Sequence, residues 1–225
     1  MSRSVVTKGV ERCERCRFAF RWCICRGFRS VECPLRVDVL MHLRETWRPT
    51  STGRLINRVI PSSRSHVYGH GAPLDREAIV DPDRTLWILH PQGEPPPAGV
   101  PASSVQVLLL DGNWREAARL RKIVEPWGRT VCLPAAGPSR YRLRRQHKEG
   151  RYSTIEALAL LLEGLGLTEA AGQLRVQFEL HVYAGLRARG ATGEAEAFLA
   201  GSSLPQALPE VLRELRERRR CGRAP

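Results

Sequence analysis

The chain has 225 residues, of which 42% are hydrophobic, so it is long and apolar enough to fold around a substantial core and is not a disordered chain. No apolar run approaches the ~20 residues that a membrane-spanning helix needs, and Met1–Arg12 lacks the apolar stretch of a secretory signal. We therefore expect a cytoplasmic protein with no membrane association. The formal net charge of +13 favours a polyanionic partner such as a nucleic acid, because binding then releases counterions. The alternative is that the surplus arginine only keeps the surface solvated.

Four of the seven cysteines lie close together near the N-terminus, with the spacing Cys13-x2-Cys16-x6-Cys23-x-Cys25. In a reducing compartment such a cluster indicates a metal site before it indicates disulfides, and four thiolates suit tetrahedral Zn²⁺. A redox Cys-x-x-Cys motif is the alternative, but no strand precedes the pair and no helix follows it. We predict a structural zinc site in a basic appendage, residues 1–34, ahead of a domain spanning residues 35–225. Whether Cys33 replaces one ligand is left open by the spacing.

Short apolar runs bounded by turn residues then follow, as expected for strands buried on both faces. The predicted strands are Arg36–His42, Thr85–His90, Val105–Leu110 and Arg129–Leu133. Helical patterns lie between them, and this alternation predicts an α/β fold with a mainly parallel sheet. The stretch Pro91–Pro101 contains five prolines, so we predict a loop there without any strand.

Two helix starts are marked by capping-box spacing, at Asn113–Glu116 and Ser153–Glu156. In the first helix, Trp114, Ala117, Leu120 and Val124 fall on one face, which we expect to be buried. Beyond residue 168 the chain reads as wholly helical, with segments Glu169–Arg189, Glu194–Leu199 and Gln206–Arg220. The three arginines that end the last segment suit either a helix C-terminus or contact with RNA.

Asp111 is the strongest candidate for catalysis by position. It ends a predicted buried strand and precedes Gly112 and a capped helix, and ligands of open α/β sheets bind at such strand ends. A partly desolvated carboxyl at the rim of a pocket can have the raised pKa of a general base. The alternative is an ordinary strand-to-helix turn, in which the carboxylate accepts hydrogen bonds from helix N–H groups.

Two other segments could bind a ligand. Residues 139–157 place arginines and tyrosines before a helix N-terminus, where free N–H groups favour phosphate or carboxylate, although a solvated basic loop would look the same. The polar turn from Trp47 to Arg54 either holds a ligand or caps the next helix. The chain contains no Gly-x-Gly-x-x-Gly after a strand and no P-loop, so dinucleotide and P-loop nucleotide sites are unsupported. Three histidines without metal-ligand spacing are predicted to be turn or core residues: His42, His90 and His147.

Taken in order, these motifs resemble the DTW-domain family, tRNA-uridine aminocarboxypropyltransferases related to the SPOUT RNA-modifying enzymes. The resemblance covers nearly the whole chain and is carried by the cysteine cluster, Thr50–Gly53, Leu89–Pro91, Asp111–Trp114, Arg142–Arg144 and Ser153–Glu156. The chain departs from the family pattern at Asn113, where the family has Thr, and at Ser51, where the family often has Asn. Asn can still cap the helix, so the turn should survive.

The resemblance implies a C-terminal trefoil knot, a rare fold feature, and binding of S-adenosylmethionine by loops at strand ends. The implied cofactor-binding residues are Thr52, Leu89, His90, Pro91, Leu110, Gly112, Trp114, Arg142, Arg144, Ser153, Thr154 and Glu156. It further implies that a uridine of tRNA attacks the aminocarboxypropyl arm through N3, with Asp111 as the base, and that no obligate protein partner is needed. Two alternatives are an S-adenosylmethionine-dependent RNA methyltransferase and a non-catalytic zinc-containing RNA-binding protein.

Overall fold

A five-stranded sheet, all of whose neighbouring strands are parallel, organises the computed structural model, which describes residues 10–69, 71, 73–134, 136–144 and 150–217. The strands lie in the order β2-β1-β4-β3-β5. Their bounds are β1 Arg36–His42, β2 Arg64–Tyr68, β3 Thr85–Glu94, β4 Val105–Asp111 and β5 Arg129–Val131. The predicted α/β fold with a mainly parallel sheet is confirmed, while the trefoil knot stays a prediction.

Eight α-helices are present in the described part of the chain, and the C-terminal third is helical as predicted. They are α1 Thr52–Val59, α2 Arg76–Ile79, α3 Trp114–Val124, α4 Thr154–Gly164, α5 Thr168–Ala188, α6 Thr192–Leu199, α7 Leu204–Ala207 and α8 Pro209–Glu217. Within the described ranges, no helix is both long and apolar enough to cross a membrane.

The sheet is covered by helices on both faces, because alternate side chains of each strand point to opposite sides. Val39 and Leu109 belong to the larger core, which also contains residues of α1, α4 and α5. Leu40 and Leu108 belong to a second core with Leu120 of α3. Burial on both sides explains why the central strands read as continuous apolar runs in the sequence.

The register of the central strands sets the position of the candidate site. In the β1–β4 pair, Met41 lies opposite Asp111, and in the β3–β4 pair, Leu89 lies opposite Leu109. The carboxyl ends of these three strands therefore meet at one edge of the sheet. The segment that follows β1 and the start of α4 contact the Asp111 carboxyl group at this edge.

Both predicted capping boxes are confirmed. The Asn113 side chain accepts hydrogen bonds from the N–H groups of Arg115 and Glu116, each 3.0 Å long, and Glu116 accepts one from the Asn113 N–H at 2.8 Å. At the start of α4, Glu156 accepts from the Ser153 N–H at 2.9 Å. Asn113 therefore keeps the cap despite its departure from the family pattern.

The N-terminal segment packs into the larger core instead of standing away from it. Phe18 and Ile24 are fully buried there together with residues of α4 and α5. The Gln177 side chain of α5 donates a hydrogen bond of 3.1 Å to the carbonyl of Gly27. The boundary at residue 34 stays a prediction, but the segment before it packs against α4 and α5 of the larger core.

Three sequence expectations about elements need correction. Strand β2 was not predicted, because it is an edge strand with a mostly exposed, polar sequence and so lacks an apolar run. Strand β3 continues through Pro91 to Glu94, into the predicted loop; the pairing register shifts between Leu89 and Glu94, so the missing proline N–H removes no regular ladder bond.

The predicted helix Gln206–Arg220 is broken into α7 and α8. Leu208 lies outside the helical region, with φ −139° and ψ 55°, because the residue before a proline avoids that region. Pro209 is then the first residue of α8, a position that proline tolerates. Arg218 to Arg220 lie outside the described residues, so their two interpretations stay open.

Candidate active site

A cavity of about 330 Å³ opens at the carboxyl ends of β3 and β4, beside the N-terminus of α4. It brings together most of the residues that the sequence predicted to form a site: Thr52, Leu89, His90, Pro91, Leu110, Asp111, Gly112, Trp114, Arg144, Ser153 and Thr154. These residues come from five separate segments of the chain. A cavity of this size is within the usual range for small-molecule sites.

Asp111 is buried in the wall of this cavity, with only 4% of its surface exposed. Its carboxylate accepts hydrogen bonds from Ser51 Oγ at 3.0 Å and from Thr154 Oγ1 at 2.6 Å. Ser51 is also the N-cap of α1, and its Oγ accepts a bond from the Arg54 N–H. The carboxylate is thus held between the starts of α1 and α4, a different arrangement from the self-capping turn considered as the alternative.

The pKa of Asp111 is raised above the ordinary range of an aspartate. Burial is the main cause, because it removes water from the charged form, and the nearby carboxylate of Glu45 adds to the shift. The hydrogen bonds from Thr154 and Ser51 and the charge of Arg144 act in the opposite direction without cancelling it. A carboxyl group in this state is suited to take up a proton.

Glu45 is fully buried and forms a paired ion bridge with Arg144. Arg144 Nη1 donates to Glu45 Oε1 at 3.0 Å, Arg144 Nη2 donates to Glu45 Oε2, and Arg144 Nε donates to Thr50 Oγ1 at 3.2 Å. Burial acts to lower the pKa of Arg144, but the hydrogen bonds and the negative charge of Glu45 oppose this effect, and the pKa is raised overall. Arg144 therefore keeps its positive charge in the cavity wall.

Tyr141 completes the polar wall. Its hydroxyl donates to the carbonyl of Thr50 at 2.6 Å, and burial raises its pKa to about 12, so the phenol stays neutral. The bond joins the segment before α4 to the turn before α1. Two loops that are far apart in the sequence are thereby fixed on either side of Asp111.

Another part of the cavity wall is apolar and aromatic. Leu89, Leu110 and Leu133 line it, and Trp114 lies half-buried at its edge with the Arg151 guanidinium 4.2 Å from the ring centroid. Trp114 is thus not a fully buried core residue, whereas the other three members of its helix face are buried. An apolar wall with an aromatic side chain suits a flat heteroaromatic group.

Two predicted binding residues lie elsewhere. Arg142 is exposed and does not line the cavity. Glu156 accepts hydrogen bonds from Ser139 Oγ and from the Arg140 N–H at 2.7 Å, so it ties the preceding loop to α4. His147 lies outside the described residues.

His42 and His90, the other two histidines predicted to be turn or core residues, lie in local turns. His42 Nδ1 accepts from the Arg44 N–H at 3.2 Å, and His90 Nδ1 accepts from the Gln92 N–H at 3.2 Å. Burial, and then the charge of Arg121, lowers the pKa of His90, so this cavity residue is neutral. Neither histidine has the ligand arrangement of a metal site in the described part of the chain.

Cysteines 13, 16, 23 and 25 form one group, in which all four sulfur atoms lie within 4.8 Å of one another. The Cys13–Cys25 Sγ distance is 3.6 Å and the Cys16–Cys23 Sγ distance is 3.7 Å. Tetrahedral zinc with Zn–S bonds of 2.3 Å requires sulfur atoms about 3.8 Å apart, so the group fits this ion. Cys33 is not part of the group, and Cys221 lies outside the described residues.

Sequence reasoning missed Glu45, Tyr141 and Arg151 as parts of the site. Glu45 lies three residues after β1, at the same edge of the sheet as Asp111, and this position is the signal that could have found it. Tyr141 and Arg151 lie in the basic segment that was singled out only as a possible anion site.

The parallel sheet and the buried carboxylate at its carboxyl edge define an α/β protein with a candidate ligand-binding cavity. The chain matches the DTW domain over residues 10–184, and it belongs to the DTW-domain family. It is 26% identical over 178 residues to tRNA-uridine aminocarboxypropyltransferase 2 of Drosophila melanogaster, an alignment that covers 73% of this chain and 69% of the fly protein. No solved structure matches the chain. The resemblance to the family is thus confirmed.

Proposed function

We propose that this protein transfers the 3-amino-3-carboxypropyl group of S-adenosylmethionine to N3 of a tRNA uridine and releases methylthioadenosine. The observation that carries the proposal is the buried Asp111 carboxyl group, whose pKa is raised and which lies in the same cavity wall as the charged Arg144. The similarity to a relative named as a tRNA-uridine aminocarboxypropyltransferase supports the same reaction.

In this reaction a bond forms between uridine N3 and the γ-carbon of the methionine moiety, while the bond between that carbon and sulfur breaks. The sulfonium takes the electron pair and leaves as neutral methylthioadenosine. The N3 proton passes to the Asp111 carboxylate, which is held in place by Ser51 and Thr154. A raised pKa makes this carboxylate a stronger base than an ordinary aspartate, which favours general base catalysis.

Arg144 is the best candidate to bind the α-carboxylate of the transferred arm. Its bonds to Glu45 and Thr50 use three of the five N–H donors of a guanidinium, which leaves two for a ligand. The N-terminus of α4 at Thr154 offers further N–H groups to an anion, whereas the Ser153 N–H already donates to Glu156. Arg142 is a weaker candidate because it is exposed outside the cavity.

The adenosine moiety fits the apolar wall beside Trp114, where Leu89, His90, Pro91, Leu110 and Gly112 surround the same space. The uridine must be flipped out or single-stranded, because N3 belongs to its pairing edge. Orientation of the γ-carbon, and not of the methyl group, toward N3 decides which group is transferred. Positioning of this kind can supply ~7–11 kcal/mol of barrier lowering.

The cysteine group is proposed to bind a structural zinc ion through four thiolates. A bound ion would cross-link the ends of a short segment and so stabilise it. Phe18 and Ile24 of that segment are buried against the helices that border the cavity, which is how zinc would support the site without contacting substrate. The trefoil knot, the boundary at residue 34, the cytoplasmic location and action without a protein partner belong to the same proposal.

The test is incubation of the purified protein with S-adenosylmethionine and unmodified tRNA, followed by mass spectrometry of nucleosides and small products. Aminocarboxypropyl-uridine together with methylthioadenosine is expected. A methylated nucleoside together with S-adenosylhomocysteine would show that the protein transfers a methyl group instead. Binding of tRNA without either product would indicate a non-catalytic RNA-binding protein.

The role of Asp111 is tested by Asp111→Asn, which keeps the shape but cannot accept the proton. We expect at least about a hundredfold loss of transfer rate, the usual contribution of general base catalysis. Asp83→Asn, at an exposed aspartate, is the matched control and should keep the full rate. Full turnover of the Asp111 variant would remove this residue from the mechanism.

A further inference from the structure

Trp47 is the most exposed large hydrophobic side chain in the described part of the chain, with 70% of its surface accessible. Tryptophan carries a large apolar surface and is highly buried on average in folded proteins. It follows the 3₁₀ turn Leu43–Glu45 at the carboxyl end of β1, in the polar turn that the sequence left without a function. An open indole ring at this edge of the sheet therefore requires an explanation.

The backbone on both sides of Trp47 is firmly held. Thr46 Oγ1 donates to the carbonyl of Leu43 at 2.6 Å, and Arg54 Nη1 donates to the carbonyl of Thr46 at 2.6 Å. The Arg48 N–H donates to the carbonyl of Glu45 at 3.1 Å. The ring is thus presented from a fixed turn, as a pre-organised binding surface requires.

Trp47 also lies at the rim of the candidate active site. The next residue, Arg48, lines the cavity and pairs with the buried Glu45. Consecutive Cα atoms are only ~3.8 Å apart, so the indole stands within one side-chain length of the cavity wall. A group bound to Trp47 would neighbour whatever enters the cavity.

Arg17 approaches Trp47 from the cysteine segment, with its guanidinium carbon 5.4 Å from the ring centroid. Arg17 is the non-glycine residue of the described chain that has a positive φ, 61°, a conformation that costs about 1 kcal/mol or more. Its Nε is buried without a hydrogen-bond partner among the described residues. The fold therefore holds Arg17, in a strained backbone conformation, beside an exposed aromatic ring.

Two further cations lie in the same turn as this ring. Arg44 and Arg48, its neighbours in the same turn, have side chains that are 73% and 42% exposed. Exposed aromatic rings flanked by arginines are the arrangement that binds single-stranded nucleic acid, because bases stack on the ring and phosphates pair with the cations. The surface defined by Arg17, Arg44, Trp47 and Arg48 is called the Trp47 surface below.

We propose that the Trp47 surface binds the RNA substrate: a base next to the target uridine stacks on Trp47, and Arg17 and Arg44 contact the adjacent phosphates. The proposal rests on the proposed function in taking RNA as the substrate. A uridine that leaves its stack also exposes its neighbour, and the indole would replace the lost stacking partner.

The experiment measures the affinity of the full-length protein for unmodified tRNA by fluorescence anisotropy at one fixed salt concentration, without S-adenosylmethionine. Trp47→Ala is expected to weaken binding about fivefold or more, and Trp47→Phe, which keeps an aromatic face, should retain most of the affinity. Arg17→Gln should lower the salt dependence of binding by about one phosphate contact. Ile123→Ala, another exposed apolar residue, is the control and should bind as the wild type does.

A Trp47→Ala variant with wild-type tRNA affinity would overturn the proposal, as would a wild-type protein that does not bind tRNA. Loss of affinity in Trp47→Ala with no recovery in Trp47→Phe would also contradict stacking. The binding assay needs no turnover, so its result is separate from the proposed reaction. If Trp47→Ala binds tRNA more weakly but the wild type forms no aminocarboxypropyl-uridine, the RNA-binding role of the Trp47 surface is supported and the proposed reaction is wrong.

Discussion

Gly53 packs directly against the Asp111 carboxyl group: a Cβ atom at position 53 would lie 2.6 Å from Asp111 Cγ and 2.7 Å from its Oδ2. Real Cβ contacts are not this short, so Gly53→Ala must displace either α1 or the carboxylate. We expect the transfer rate to fall by about a hundredfold, because displacement of about 1 Å near the reacting groups has effects of this size. Overpacking should also lower the free energy of unfolding by about 1–3 kcal/mol.

The matched control for this variant is Gly172→Ala in α5. Position 172 is exposed, and an added Cβ meets nothing within 4 Å. Alanine there should leave the transfer rate unchanged and raise the unfolding free energy by about 0.5–1 kcal/mol. Equal rates for the two variants would show that the close contact with Asp111 does not matter for catalysis.

Glu45→Gln should move the pH dependence of the transfer rate. The base must be ionised, so the rate should rise with pH through the pKa of Asp111, which lies above the ordinary value of about 3.9. The negative charge of Glu45 contributes to that upward shift, and Arg144 opposes it. Removal of the Glu45 charge should therefore move the rising limb of the profile to lower pH.

The measurement for Glu45→Gln is the single-turnover rate as a function of pH, with tRNA and S-adenosylmethionine saturating. Glu163→Gln, at a surface ion pair with Arg175, is the control and should leave the profile in place. A rising limb that stays fixed or moves to higher pH in Glu45→Gln would contradict the assignment of this limb to Asp111.

His181 should make the fold sensitive to acid. It is buried against Phe18, and in the part of the chain that the structure describes neither ring nitrogen has a hydrogen-bond partner. Burial, together with the charges of Arg58 and Arg144, lowers its pKa to about 3. The unfolded chain takes up this proton near pH 6.5, whereas the native state does not. The free energy of unfolding should therefore fall as pH decreases from about 6.5 toward 3.

His181→Leu removes this titrating group. The free energy of unfolding of this variant should therefore change less with pH in the upper part of the range between about pH 3 and 6.5, where few carboxyl groups titrate. Urea denaturation of both proteins at a series of pH values gives the difference directly. Parallel stability curves for the wild type and His181→Leu would show that His181 is not held neutral.

Cys25→Ser should abolish stoichiometric zinc, measured by inductively coupled plasma mass spectrometry of the purified protein. Loss of the ion should destabilise the N-terminal segment by several kcal/mol, since metal binding and folding of small sites are linked. Cys132→Ser, at a half-buried cysteine outside the group, should keep both the zinc content and the melting temperature. Wild-type protein purified without zinc, or unchanged zinc in Cys25→Ser, would contradict the site.

Features set by short stretches of chain were predictable. The capping boxes at Asn113 and Ser153, the four predicted strands and the position of Asp111 at a strand end each depend on residues within a few positions of one another. Strand β2 was not predictable in this way, because an exposed edge strand gains its order from pairing with β1 and carries no apolar pattern of its own.

The sequence by itself determined the class of fold, the spacing of the four cysteines and the strand end that carries Asp111. Only the tertiary structure decided which partners surround that carboxyl group: Ser51 comes from 60 positions earlier, and Glu45 meets Arg144 across 99 positions. The same distinction separates Arg142, which is exposed to solvent, from Arg144, which lines the cavity and pairs with Glu45. The physical reason is that hydrogen-bonding rules for caps and turns act within one turn of chain, whereas contacts between distant segments depend on strand order and register.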